Sequence, residues 1–262
     1  MNLFGEVSNG AEVFSGESTV PTLSLRWLKG IRQGLAPRLA GANTVIHQRQ
    51  KDLLFFVISK ASVLNHCYRK YVSPWKNSNG KGVHLNLGCG DKYCDYFVNI
   101  DANPLRKLDL WLDIRNGLPF GDQSVDSIYT AQMLEHFYPD ELVRVLSECR
   151  RVLKSNAGML IVVPSLENAI AAYSVRKAQW FSDWPRSNRS IGGRFSNFIF
   201  CDGQHRNAFD FEYMSEIVLS AGFSEVEKSR PGASRLYPAE ALALSEDDQH
   251  DPSVCLYMEA FC

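Results

Sequence analysis

The sequence predicts a doubly wound α/β sheet preceded by a helical extension, and three observations carry that reading. Beyond Gly82, short apolar strands alternate with amphipathic helices, the pattern of a layered α/β domain. The first of those strands runs directly into Gly88-Cys89-Gly90, and glycines at that point let the backbone turn sharply and approach a ligand without a Cβ in the way. The 262 residues, 45% hydrophobic and 22% charged, have an ordinary globular composition, long enough to bury a full core without disulfides or metals.

In chain order, residues 1–24 are rich in Gly, Ser and Glu without period, and read as a loose arm. Residues 24–39 read as a short helix with Trp27, Leu28, Ile31 and Leu35 on one face, limited by Pro37. A second helix is expected over 45–72, carrying Leu53, Leu54, Val57, Val63 and Leu64. Ser73-Pro74 and the polar run Asn77 to Gly82 then form a linker. The domains are therefore an arm (1–24), a basic helical extension (25–80) and a sheet domain (81–262). Strands are expected at 83–87, 97–100, 108–112, 125–131, 159–163, 224–229 and 254–261. A helix over 140–154 packs through Leu142, Val145, Leu146, Cys149 and Leu153. A second, over 210–221, ends at Gly222.

Charge and cysteine usage exclude several classes. Lys plus Arg is 28 against 29 for Asp plus Glu, so a net charge of −1 gives no global case for nucleic acid. The balance is uneven, since residues 25–76 hold ten cations against Asp52, a local charge of +9. Those cations would suit docking on anionic lipid, at about 1 kcal/mol each. Alternatively the helices cover a cleft or a dimer interface. Seven cysteines without a C-x-x-C pair argue against a disulfide framework, a zinc ribbon or an iron–sulfur site, and suit reduced thiols in the cytoplasm. Glu6, Glu12 and Glu17 precede the first cation, so no secretory leader is expected. The longest apolar stretch, 53–64, is broken by Lys60 and too short to span a bilayer.

The chemistry concentrates in 83–136. Asp101, after the second strand, is placed to accept hydrogen bonds from two vicinal ribose hydroxyls, and Asp113, after the third, to take an adenine amine. Each acid could instead be a turn residue or a helix cap. A nicotinamide dinucleotide is the competing ligand. Its third glycine would fall at Tyr93, and Asp91 follows Gly90 where a diphosphate would lie. A phosphate-free adenosine carrying cationic sulfonium and amino groups fits better, which points to S-adenosyl-L-methionine.

The segments LNLGCG (85–90), VNID (98–101), LDIRNGLPFGDQSVDSIYTAQMLEHF (112–137) and RRVLKSNAGMLIVVPS (150–165) resemble a class I SAM-dependent methyltransferase of the methyltransferase domain 11 type. AGFSEVE (221–227) and LYMEAFC (256–262) resemble that fold's closing strands, the last antiparallel. The resemblance implies a mostly parallel, seven-stranded, Rossmann-like sheet. Within the superfamily the chain is most similar to enzymes of surface-polysaccharide and glycan biosynthesis. By the same resemblance, Gly88, Cys89 and Gly90 pass under the methionine and ribose of the cofactor and Asp101 binds the ribose. Asp113 and Ile114 frame the adenine, while Thr130, Ala131 and Gln132 meet the methionyl end. Asn86 stands where an acid is often found, and its carbonyl oxygen still offers the ammonium an acceptor.

For the methyl acceptor, a sugar hydroxyl needs a base within hydrogen-bond reach. His136 is the first candidate, with a packing role as its alternative. His205 with Asp210 is the second, against Asp210 as a helix cap and His205 as a residue of a cover. In ubiquinone-pathway O-methyltransferases the stretch resembles E-x-x-E-H and holds Mg²⁺; Gln132 replaces one acid here, so no metal is expected. The insertion 166–208 is rich in aromatics and arginines, suiting a phosphorylated or nucleotide-linked glycan, or else forming a small satellite core. The expected function is O-methylation of a saccharide, a glycan precursor or a related small metabolite by a cytoplasmic or membrane-peripheral enzyme. Methylation of protein or tRNA, or a non-catalytic binding module, are the alternatives; the strand-four end Tyr129-Thr130-Ala131-Gln132 lacks the N-P-P-Y pattern of amide and base N-methylation.

Overall fold

A computed structural model describes residues 44–72, 82–245 and 252–262. The chain divides into two compact units, 1–49 and 50–262, and the first is described only at 44–49, where a helix begins. The arm at 1–24, the helix expected at 24–39 and the linker at 73–81 lie outside the described residues.

Helix α1 (Thr44–Cys67) continues into a π-helical turn, Tyr68–Val72. Its burial differs from the apolar stripe expected from the sequence. Leu53, Phe56, Val57 and Leu64 are exposed, whereas Ser59 and Ser62 are buried. The stripe that docks on the sheet domain is polar, at spacings of one helical turn. Ser62 Oγ accepts from the Asp113 N–H (3.1 Å), Asn65 Nδ2 donates to the Trp111 carbonyl (2.6 Å), and His66 Nδ1 meets the Gly117 carbonyl (3.2 Å). Small and polar side chains permit a close approach whose energy lies in hydrogen bonds to a strand end.

Strands β1 (His84–Leu87), β2 (Val98–Asp101), β3 (Leu110–Trp111), β4 (Val125–Ala131), β5 (Leu153–Pro164), β6 (Glu225–Lys228) and β7 (Cys255–Phe261) form one sheet in the order 3-2-1-4-5-7-6. All pairs are parallel except those of β7, which runs antiparallel to β5 and β6. β1 sits centrally, with Asn86 opposite Asn99 on one side and Tyr129 on the other. Its continuous burial is that of a strand covered on both faces. β5 starts earlier than apolar content suggests. Its polar entry, Lys154 to Asn156, is held where Lys154 Nζ meets Asp126 Oδ1 at 2.6 Å. β6 lies at the sheet edge and carries Glu225, Glu227 and Lys228, charges that discourage pairing with another chain.

Side chains alternate between two cores. On one face Leu85, Leu87, Ile128, Met159 and Ile161 pack with α2 (Pro139–Val152) and α5 (Phe211–Ser220) around the fully buried Phe209. Helix α2 starts with Pro139 and a Glu141 carboxylate accepting the Tyr138 N–H, and buries Leu142, Val145, Leu146, Cys149 and Val152. Val152 takes the place expected for Leu153, which already belongs to β5. On the other face Tyr129, Leu160 and Val162 pack with Cys94, Phe97 and Tyr237, next to α6 (Ala239–Ser245). No helix joins β1 to β2. The Asn99 carboxamide holds the connecting loop instead, bonding the Cys94 N–H and carbonyl, the Phe97 carbonyl and Asp109.

The insertion after β5 forms α3 (Leu166–Ser174) and α4 (Ile191–Phe200). Phe181, Trp180, Phe195 and Phe198 turn inward on Ala169 and Ala172, so most of its aromatics make a satellite core. Tyr173, Trp184 and Phe200 stay exposed.

Glu148 on α2 ties the loop leading to β4, accepting from the Leu118 N–H (2.8 Å) and twice from Arg151 (2.6 and 2.8 Å). Burial by itself would raise this carboxyl; Arg151 and the Leu118 amide outweigh burial and hold it below its ordinary value. A depressed folded value adds stability that is full above the unfolded value, about 4.3, and is lost as pH falls through the folded one. Urea unfolding at stepped pH should therefore show a shallower acid loss for Glu148→Gln than for the wild type. An identical slope would contradict this role.

Candidate active site

At the carboxyl ends of β1 and β2 the chain bends through Gly88 (φ +72°) and Gly90 (φ +53°), backbone angles that favour glycine. The bend is fastened to β2 by short hydrogen bonds. Gly88 and Cys89 donate to the Ile100 carbonyl (2.8 and 3.2 Å), and Gly90 donates to Asp101 Oδ2 (2.9 Å). The other carboxylate oxygen, Oδ1, accepts from the Asn103 N–H at 2.7 Å. Each oxygen of an ionised carboxylate has about two acceptor positions, so Asp101 retains capacity for two more donors. A Cβ on Gly90 would meet nothing within 4 Å, which leaves open space above that residue. Above Gly88 lies the Met133 side chain, 2.7–2.9 Å from where a Cβ would stand, a flexible thioether that must swing aside for anything to lie across the bend. Gln132, in a left-handed conformation (φ +53°), sits between β4 and Met133 at this turn. Its N–H donates to the Val162 carbonyl (2.9 Å) and its Nε2 to Cys255 Sγ (3.2 Å).

Several residues expected at the cofactor have other work. Asn86 is buried, and its amide nitrogen holds the β1–β2 loop by donating to the Lys92 carbonyl (3.3 Å) and to Asn99 Oδ1 (3.2 Å). The Cys89 thiol is buried and pushed up to about 12 by burial and then by Asp101 and Asp109, leaving only its backbone to serve a ligand. Thr130 is fully buried and donates to the Leu87 carbonyl (3.1 Å), while Ala131 packs against the smaller core.

Asp113 and Ile114 are likewise engaged by the fold. Asp113 is 3% exposed, and Arg115 grips its carboxylate through Nε (3.0 and 3.1 Å) and Nη2 (2.7 Å). The Arg115 N–H also donates to Oδ1, making Asp113 the cap of the 3₁₀ turn 114–116. Burial would raise this carboxyl; Arg115 and Ser59 override it and hold it below its usual range. A carboxylate so saturated does not stand open to an adenine amine, and Ile114 is buried within the larger core.

A second group forms just past β4. Glu135 is 1% exposed, and neither carboxylate oxygen has a hydrogen-bond partner among the described residues. Ligand atoms of Glu135, His136 and His205 all lie within 4.8 Å of one another. The main chain brings these distant segments together: the Glu135 carbonyl accepts from the Arg206 (2.7 Å) and Asn207 (3.2 Å) N–H groups, and Asn207 Nδ2 donates to the Phe137 carbonyl (2.6 Å). Burial pushes Glu135 up to about 8 and His205 down to about 4, the latter helped by His136. Their 4.0 Å contact therefore joins two groups that burial pushes toward their uncharged forms. The packing around His136, with Arg206, lowers that imidazole too, although the residue stands at the surface. Asp210, expected to orient His205, instead accepts the Tyr213 N–H (2.8 Å) as the cap of α5. Glu135 takes the place beside His205 that the sequence suggested for Asp210.

The two groups are contiguous, because Met133 covers Gly88 with its side chain and accepts the His136 N–H on its carbonyl (3.1 Å). The glycine bend and the Asp101 carboxylate thus lie at the centre of a 3-2-1-4-5-7-6 sheet, next to a buried polar group. Residues 93–162 match the model of the methyltransferase domain family. A SAM-dependent methyltransferase from Thermotoga maritima is similar at 14% identity and TM-score 0.41, over 80% of this chain and 94% of that one. Another from Archaeoglobus fulgidus is similar at 16% identity and TM-score 0.44, over 76% and 92%. A third from Mesorhizobium loti gives 14% and 0.39, over 69% and 91%. No protein of curated function matches the sequence. The match thus spans residues 93–162 of the chain, and the cofactor a domain of that kind uses is S-adenosyl-L-methionine. Among the described residues no helix is long and apolar enough to cross a membrane.

The reassignment of Asp113 is testable. Asp113→Ala should lower stability by about 1–3 kcal/mol, as for a buried partner left unpaired, and leave S-adenosylhomocysteine affinity unchanged. Denaturant unfolding and calorimetry read the two separately, and lost affinity at unchanged stability would restore the adenine role.

Proposed function

We propose that the chain methylates a hydroxyl oxygen of a saccharide, a glycan precursor or a related small metabolite. The observation that carries this is the pair of imidazoles beside the residue covering the glycine bend. His136 Nδ1 lies 3.1 Å from the Gln204 carbonyl and His205 Nδ1 lies 3.2 Å from the Ile199 carbonyl. A carbonyl only accepts, so each neutral ring keeps its proton on Nδ1 and its lone pair on Nε2. An uncharged imidazole with a directed lone pair is the group that can take a hydroxyl proton.

Bound S-adenosyl-L-methionine supplies an electrophilic sulfonium methyl. Everything else falls to the chain. Asp101 accepts the ribose hydroxyls while its backbone bonds keep the bend in place. Gly90 leaves room for the nucleoside, and Met133 withdraws from Gly88. His136, the more exposed of the two imidazoles, receives the acceptor's proton at Nε2, and His205 backs it from the less exposed side. Alignment of the reacting groups then supplies much of the rate. The exposed rings of Tyr173, Trp184 and Phe200, with the exposed Arg176 and Arg189 on the same insertion, support an acceptor with apolar ring faces and an anionic substituent.

Asp101→Ala should weaken S-adenosylhomocysteine binding by about 1–3 kcal/mol, roughly 5- to 150-fold, in calorimetry. Unaltered affinity would refute the ribose assignment. With sugar phosphates and nucleotide sugars as trial acceptors, methyl release should appear on oxygen, and His136→Ala should cut kcat about 10²–10⁴-fold while binding S-adenosylhomocysteine normally. Transfer confined to nitrogen or carbon acceptors would overturn the hydroxyl reading.

A further inference from the structure

We propose that Glu135, His136 and His205 form a binding site for one divalent transition-metal ion of the zinc type, open on the His136 side. Three independent features of the cluster point there. The first is the orphaned carboxylate: Glu135 is 1% exposed, and both oxygens lack a partner among the described residues. A buried carboxyl without hydrogen bonds is costly, and a bound ion is one of the few things that accounts for it.

The second is the orientation of the histidines. A metal-binding histidine commonly donates its remote ring N–H to a backbone carbonyl or carboxylate, which fixes the tautomer and turns the other nitrogen to the metal. His136 does this to Gln204 and His205 to Ile199. His205 Nε2 then lies 4.0 Å from Glu135 Oε1. The third feature is convergence. One ligand atom from each residue lies within 4.8 Å of the others, and an ion held at about 2.0–2.2 Å from each would draw them slightly inward. The bonds from Arg206 and Asn207 to the Glu135 carbonyl maintain that convergence from the main chain.

The ligand set selects the ion. Two imidazoles and one carboxylate suit zinc and its neighbours, whereas magnesium prefers all-oxygen sites and keeps its waters. Three protein ligands leave a fourth position for water or a substrate oxygen. The sequence argues against a metal because Gln132 replaces an acid; the structure supplies another ligand, His205, from the far side of the insertion. The proposal deepens the reading of this site as the acceptor's and rests on it only for the ion's role. With the ion bound, both Nε2 atoms are ligands, so the proton-accepting role of His136 belongs to the ion-free protein.

The test uses the full chain, stripped with a chelator and with accessible thiols alkylated. Zinc titrated in a calorimeter should bind at one equivalent, and Glu135→Gln, His136→Ala and His205→Ala should each weaken it tenfold or more while S-adenosylhomocysteine affinity is retained. Cobalt substituted in the wild type should give visible ligand-field bands without thiolate charge transfer, a readout that does not depend on the variants folding. Absence of saturable zinc binding, binding indifferent to all three substitutions, or a thiolate band implicating the nearby buried Cys201 would each overturn the site. S-adenosylhomocysteine binding, read separately, reports on the cofactor crevice whatever the metal does.

Discussion

The Asp101 carboxylate is the contact on which the site depends. It reaches across from the end of β2 to the Gly90 N–H and back to the Asn103 N–H, so one side chain fixes both walls of the crevice at the middle of the sheet. Parallel pairing of β1 with β2 and β4 brings those strand ends to one edge, where a doubly wound sheet binds ligands. The helix that would ordinarily stiffen the β1–β2 connection is absent, and Asn99 and Asn86 replace it with a hydrogen-bonded loop. Polar side chains expected at the ligand are thus spent on the frame, and the ligand-facing capacity narrows to the glycine bend and Asp101.

The second constraint is the clasp between 134–138 and 204–207. Its backbone bonds hold two histidines and a buried glutamate together from segments far apart in the chain. Burial makes the Glu135 carboxyl hard to ionise and each imidazole hard to protonate, so both rings favour their uncharged form near neutrality. Met133 joins the clasp to the glycine bend, its side chain over Gly88 and its carbonyl bonded to the His136 N–H.

Much of this was legible in the sequence because local rules and tertiary demands agree. β4 has the bounds its apolar run suggests, α2 its amphipathic face, and α5 its Asp210 cap. What was hidden is what other segments do to a residue. Asp113 reads as a ligand-facing acid after a strand, but Arg115 two positions later captures it; an acid followed by a cation at that spacing in a turn was the available signal. Glu135 carries no mark of its burial beyond its apolar neighbours Leu134 and Phe137, and its meeting with His205 depends on contacts across the insertion. The aromatics of that insertion look like a sugar platform by composition, yet a spacing of nearly one turn in α4 puts Phe195 and Phe198 on the same inward face. Helix α1 inverts its expected faces because Ser62, accepting from the Asp113 N–H, and Asn65, donating to the Trp111 carbonyl, set its docking.

A crystal structure of the full chain with S-adenosylhomocysteine would show whether Asp101 holds the ribose. The account predicts the ribose diol on the two oxygens of Asp101, the thioether passing over Gly90, and Met133 displaced from Gly88 toward the Glu135 side. A ligand bound elsewhere, or one whose ribose avoids Asp101 while Met133 keeps its place, would contradict it.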